Sequence, residues 1–234
     1  MRKPIVAATI LALLIVLTAV PAYTQDSGPL SGKKICLDPG HGGTDPGAVY
    51  DDSTIYLEEA DINLDVAYGL EALLKLDGAT VVMTRTGDSY KSNNDRYTFC
   101  NEEQATILVS IHTNSVSDPT MDGSLGLYFH KDDKALARAI YDVMWPYLRK
   151  TAPDPTSFTG FGLTNYASGV LLKSDMPAAM MEPLFMSNPA EAGLLVKRIY
   201  SDNGVTLSGQ CSDNSCRRGQ IAQAIYEGIL KYFA

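Results

Sequence analysis

The sequence predicts an α/β fold: a single domain with a mostly parallel central sheet and helices on both faces. Three observations predict it. Short apolar runs, "KICLD", "ATVVMT", "TILVSI", "LGLYF" and "PAAMMEP", recur along the chain, as strands buried on both sides should. Segments with a helical period of about 3.6 lie between them. The 234 residues, 45% hydrophobic and 20% charged, suffice for one ordinary core and leave no room for a second folded module.

The elements follow in order. Arg2 and Lys3 precede an uncharged apolar run over 5–20, and Val20-Pro21-Ala22 supplies small residues. That is the layout of a secretory signal peptide, expected over 1–22, and the run is short for a membrane span of about 20 residues. A linker follows over 23–32, and the folded domain over 33–234. After "KICLD", a helix from Glu59 carries Ile62, Val66, Leu70 and Leu73, with Gly78 as its stop signal. Ser92 with Asp95 forms a capping box ahead of "RYTFCNEEQA". Asp132 or Asp133 caps a helix carrying Leu136, Ile140, Val143 and Tyr147, which Pro146 kinks or ends. Residues 200–219, rich in Gly, Ser and Asn, read as an insertion loop. Ile221, Ile225 and Ile229 mark a final helix.

Charge and cysteine content narrow the function. The formal net charge of −8 becomes more negative once Arg2 and Lys3 leave with the leader. Such a surface repels phosphate backbones and anionic membranes, so no nucleic-acid partner is expected, and membrane contact only through an uncleaved leader. The signal places the domain outside the cytoplasm, secreted, periplasmic or wall-associated, where disulfides are permitted. Cys211 and Cys216 are close enough to close a small ring. Cys36 and Cys100 read as buried small hydrophobes, not as a pair. Oligomeric state is not legible, and a monomer is the default.

The chemistry-bearing residues gather at strand ends. His41 follows "KICLDPG", His112 ends "TILVSI", Glu182 ends "PAAMM", and Glu58 and Glu59 begin the helix returning from the first strand. In an open α/β sheet, ligands bind outside the carboxyl ends of the strands. Two imidazoles and a carboxylate there make a three-ligand zinc site with an open position, and a second carboxylate can serve as general base. "GHGGTDPG" could instead be a turn or a phosphate loop, but no Walker lysine follows it. An ionised Glu182 in so apolar a run needs a purpose or an arginine partner. His130 reads as a surface residue, and "FTGFG" and "TNYASG" as exposed loops suited to sugar or peptide contact.

The residues resemble a known family. "LDPGHGGTDPGA", "EADINLDVA", "VVMTRTGD", "DRYTFCNEEQATILVSIHTN" and "MPAAMMEPLFMSN", in that order, are similar to the motifs of the zinc-dependent N-acetylmuramoyl-L-alanine amidases, cell-wall hydrolases of the amidase type 3 group. The likeness covers essentially all of 33–234. It implies that His41, Glu59 and His112 bind Zn2+, with Glu59 chosen over Glu58 because the family's ligand stands just ahead of "x-D-[VI]-N-L". It implies that Glu182 is the catalytic glutamate, and that the substrate is peptidoglycan or its muropeptides, cleaved between N-acetylmuramic acid and L-alanine. Ala60 departs from the pattern, many members carrying Lys there, as does Pro183-Leu184, and the cysteine-bearing loop is not a family feature. The short stretch after His112 leaves no helix to plug the cleft. Two other readings stand beside this one: a zinc hydrolase of another wall bond, a peptidase or deacetylase, and a non-catalytic wall-binding protein.

Overall fold

The computed structural model describes residues 28–199 and 216–234. The expected leader, and the Cys211 half of the expected ring, lie outside the described residues.

Strands β1 (Lys34–Pro39), β4 (Thr80–Met83), β5 (Ile107–Ile111), β6 (Gly123–Tyr128), β7 (Thr159–Asn165) and β8 (Ala178–Glu182) form one sheet in the order β4-β1-β5-β8-β6-β7. All neighbours are parallel except β6 and β8. A small hairpin, β2 (Val49–Asp51) with β3 (Tyr56–Glu58), leads into α1 (Glu59–Leu76). The remaining helices are α2 (Asn93–Glu102), α3 (Asp133–Lys150), α4 (Gly169–Leu172), α5 (Pro189–Leu195) and α6 (Arg217–Phe233).

Alternation along the central strands divides the core in two. Ile35 and Leu37, Ile107, Val109 and Ile111, and Ala179 and Met181 pack with α1, α3 and α6. Cys36, Leu108, Ala178 and Met180 face the other way, onto α2 and α4. Both faces are therefore covered by helices, which is why the strands read as continuous apolar runs. The same parity puts Asp38, Ser110 and Glu182 on the α2 and α4 face.

Several helices obey their sequence signals. Ser92 caps α2 in a reciprocal capping box with Asp95. The core stripe of α1 is Ile62, Val66, Leu70 and Leu74; Leu73 stands on its flank. Pro146 does not end α3, which runs on to Lys150, with Leu136, Ile140, Met144 and Leu148 as its buried stripe. Asp133 accepts from the His130 and Ala178 N–H groups, tying the start of α3 to β8. Arg217 and Glu191, both fully buried, form an ion pair between α6 and α5.

The structure corrects the sequence reading at four places. Cys36 and Cys100 are bonded to each other: a mid-strand residue of β1 and the buried face of α2 bring their Cα atoms to 5.8 Å, within disulfide reach. Burial was rightly expected, but the partner across the strand–helix contact was not. Leu30, assigned to the linker, is fully buried, and its N–H donates to Asp77, so packing begins ahead of β1. Helix α6 starts at Arg217, inside the expected insertion loop. "FTGFGLTN", expected to be loop, supplies edge strand β7, whose Gly residues and exposure hid its strand character.

The Cys36–Cys100 bridge spans 64 residues of sequence. In the chain-entropy account a loop of that size stabilises the fold by about 4 kcal/mol. The Cys36→Ala/Cys100→Ala double variant is expected to lose about 3–4 kcal/mol in urea denaturation. An unchanged midpoint would show that the bridge adds no constraint.

Candidate metal centre

Three adjacent strands, β1, β5 and β8, end at one edge of the sheet. His41 stands two residues beyond β1, His112 one residue beyond β5, and Glu182 is the last residue of β8. Glu59 opens α1, which returns to the same edge through the β2–β3 hairpin. The structure brings His41, Glu59 and His112 together: one ligand atom from each lies within 4.8 Å of the others. Glu58 is not part of this group. Its carboxylate accepts from the Tyr56 hydroxyl and lines a different cavity.

The approach of these groups depends on small residues in "DPGHGG" and "DPGA". His41 itself takes a left-handed backbone, φ 62°. A Cβ on Gly40 would sit 2.3 Å from the His112 ring, and one on Gly47 would sit 2.6 Å from Glu59 Oε2. Neither position admits a side chain while the two histidines and the glutamate stay together. The imidazoles meet edge to face, 4.9 Å between centroids.

Each member is held from behind. Asp45 Oδ2 lies 2.9 Å from His41 Nδ1, leaving Nε2 directed at Glu59 Oε2, 3.2 Å away. His112 Nδ1 is 3.0 Å from Glu59 Oε1. Glu59 also accepts from the Ala48 and Thr113 N–H groups and from Asn63 Nδ2, and Asn63 accepts in turn from the Thr113 hydroxyl. Asp45 and Asn63 were missed in the sequence, yet each stands four residues after a site residue and inside a motif already singled out.

A buried polar web fixes the end of β1. Asp38 pairs with Arg96 at 2.8 Å and accepts from the Thr84 and Ser110 hydroxyls at 2.7 Å each. Burial pushes its carboxyl up, but Arg96 and the hydroxyls more than reverse this, so it lies below its usual value. Arg96 also donates to the Pro39 and His41 carbonyls, and Arg85 donates to those of Pro39, Gly40 and Ala60.

The site's charges suit a cation. Burial pushes the His41 imidazole down, yet the Glu59 and Asp45 carboxylates raise it to about 9. Burial opposes ionisation of Glu59, but the two imidazoles hold its carboxyl far below the usual range. Glu182 is raised to about 7, by burial first, with Glu59 adding to the rise and the histidines opposing it. Its Oε2 is buried without a hydrogen-bond partner among the described residues, and Arg96, in the same cavity, pairs with Asp38 instead. His41, His112 and Glu182, with its orphaned carboxylate oxygen, line one cavity of about 410 Å3, and Glu59 offers an oxygen within 4.8 Å of both imidazoles; this donor set fits zinc. No helix occupies the stretch from His112 to β6.

In open α/β sheets ligands bind outside the carboxyl ends of the strands, and a donor set of this kind there can be reached by solvent and substrate. The family is given by comparison: residues 35–206 match the model described as N-acetylmuramoyl-L-alanine amidase, and the chain belongs to that family. It is 33% identical to the germination-specific N-acetylmuramoyl-L-alanine amidase of Bacillus subtilis, over 88% of this chain and 81% of that protein. It is 30% identical to the Staphylococcus aureus protein named "Probable cell wall amidase LytH", over 93% of this chain but 64% of that protein's length. Among solved structures, an N-acetylmuramoyl-L-alanine amidase of Clostridium difficile superposes with a TM-score of 0.69 at 30% identity, covering 86% of this chain and 96% of that one. The chain is an amidase by family, and its fold is that of the family.

Asp45 orients His41 through the nitrogen opposite the one facing Glu59, a contact that typically matters about 10-fold to 100-fold for metal affinity. Asp45→Asn is expected to weaken zinc binding by about that factor in a chelator competition. Wild-type affinity in the variant would remove Asp45 from the support of the site.

Proposed function

We propose that the chain hydrolyses the amide between N-acetylmuramic acid and L-alanine in peptidoglycan, with zinc held by His41, Glu59 and His112 and with Glu182 as general base. The family supplies the bond. The observation that supports the mechanism is the unpartnered, buried Glu182 Oε2 in the cavity that His41 and His112 also line. A carboxylate oxygen enclosed without a partner costs stability, and a role in the reaction accounts for its presence.

Zinc bound by these residues would supply a Lewis acid for the scissile carbonyl and would bring the pKa of a ligated water near 7. Glu182 accepts the proton of the attacking water as the oxygen–carbon bond forms. It then delivers that proton to the alanine nitrogen as the carbon–nitrogen bond breaks, so the amine leaves neutral. The Glu182 Oε2, committed to no hydrogen bond among the described residues, is free to take up the proton and return it. Asp45 and Asn63 keep His41 and Glu59 in register during the cycle.

We place the activity outside the cytoplasm. The relatives include a protein named for the cell wall, and the Cys36–Cys100 bridge suits an oxidising compartment. Among the described residues no helix is long and apolar enough to cross a membrane. The substrate is peptidoglycan or its soluble fragments.

Glu182→Gln is expected to keep zinc near one per chain while turnover falls by about 100-fold to 10,000-fold. The checks are metal analysis and release of amino termini from peptidoglycan. Turnover close to wild type would exclude Glu182 as the base.

A further inference from the structure

The cavity that holds His41, His112 and Glu182 has a wall built from Tyr90, Lys91 and Asn93, immediately ahead of and at the start of α2. This wall is fixed to the centre. Asp88 accepts from the Gly43 N–H, two residues beyond His41, at 2.6 Å. Arg96 Nε donates to the Lys91 carbonyl at 3.0 Å while the same guanidinium binds the His41 carbonyl. The backbone of Lys91 is thus tied to the backbone of a site histidine through one side chain.

The ammonium of Lys91 is in a different situation. The residue is half-buried in the wall, and its ammonium makes no ion pair or hydrogen bond with the described residues. The other permanent cation in the lining, Arg96, is buried and committed to Asp38 and three carbonyls. Of the lining carboxylates, Asp38 is paired with Arg96, Asp45 with His41, and Glu182 is half-buried at the end of β8 with its Oε2 enclosed. On a chain with net charge −8, Lys91 is thus the lining cation held by no ion pair or hydrogen bond among the described residues, its charge acting on the exposed Asp95 carboxyl near the start of α2.

We infer that Lys91 binds a carboxylate on the peptide arm of the substrate and so selects stem peptides with free carboxylates over amidated ones. The inference rests on the amidase reading for the identity of the substrate. Its chemistry decides which arm is meant. The lactyl carboxyl of N-acetylmuramic acid is consumed in the scissile amide, and the N-acetylated sugars are neutral. Only the peptide beyond L-alanine carries negative charge. A lysine on a cleft wall attracts a carboxylate through its charge and discriminates little between neutral groups. Lys91 therefore orients the substrate, peptide arm toward the start of α2, and acts on binding, not on the bond-breaking step.

The test uses the full chain and its Lys91→Gln and Lys91→Glu variants, with zinc content checked in each. Two soluble muropeptides serve as substrates, identical except that the peptide carboxylates of one are carboxamides. Equilibrium binding of the two corresponding free L-alanyl peptides is measured in parallel by calorimetry. For Lys91→Gln the expected result is KM and peptide Kd raised about 5-fold to 10-fold for the carboxylate forms only, with kcat within about 2-fold. Lys91→Glu should reverse the preference, and high salt should erase it in the wild type. Equal effects on carboxylate and amide forms, or no effect on either, would overturn the inference. If the wild type cleaves neither muropeptide yet binds the carboxylate peptide through Lys91, the amidase reading fails and this one stands. Peptide binding independent of Lys91 overturns it whether or not cleavage occurs.

Discussion

The site depends on one carboxylate that no water reaches. Asp38, at the end of β1, is fully buried and held by Arg96, Thr84 and Ser110. A buried ion pair of this kind adds little net stability against an apolar substitute, but removing one partner typically costs about 3–5 kcal/mol. It therefore specifies an arrangement more than it stabilises one. Arg96 can satisfy Asp38 only if α2 lies against the sheet, and in that position its remaining donors meet the carbonyls of Pro39, His41 and Lys91. The loop bearing His41 and the wall bearing Lys91 are set by the same guanidinium. The Cys36–Cys100 bridge joins the same strand to the same helix one turn further along, so the contact is held covalently as well.

Strand parity does the rest. Asp38, Ser110 and Glu182 share a face because each stands two residues, or a multiple of two, from an apolar residue of the smaller core cluster. A slip of one residue in β8 would turn Glu182 toward α3 and α6 and bury a carboxylate in the larger core. The pairing of Ser110 with Met180, and of Ile111 with Met181, places Glu182 beside His112 at the sheet's edge.

Much of this was legible in the sequence, and the remainder was not for physical reasons. Apolar runs ending in His41, His112 and Glu182 gave both the sheet and its reactive edge, because polar groups within strands buried on two faces are costly unless, like Asp38 and Ser110, they are paired. The choice between Glu58 and Glu59 needed the family pattern; geometry separates them by the change from β3 to α1 between the two residues. Asp45 and Asn63 sat inside quoted motifs, but an i, i+4 carboxamide or carboxylate gains meaning only once a histidine or glutamate is fixed beside it. The Cys36–Cys100 pair and the Asp38–Arg96 pair join residues 64 and 58 positions apart, and no local pattern announces such contacts. Strand β7 was hidden because an exposed edge strand with two glycines lacks the apolar signature of its neighbours.

The most direct test of the account is the identity of the new amino terminus released from peptidoglycan, with and without a chelator. The account predicts L-alanine termini, lost on chelation and restored by zinc, from glycan that stays uncut and N-acetylated. A different terminus, released acetate, or cleavage indifferent to the chelator would contradict it.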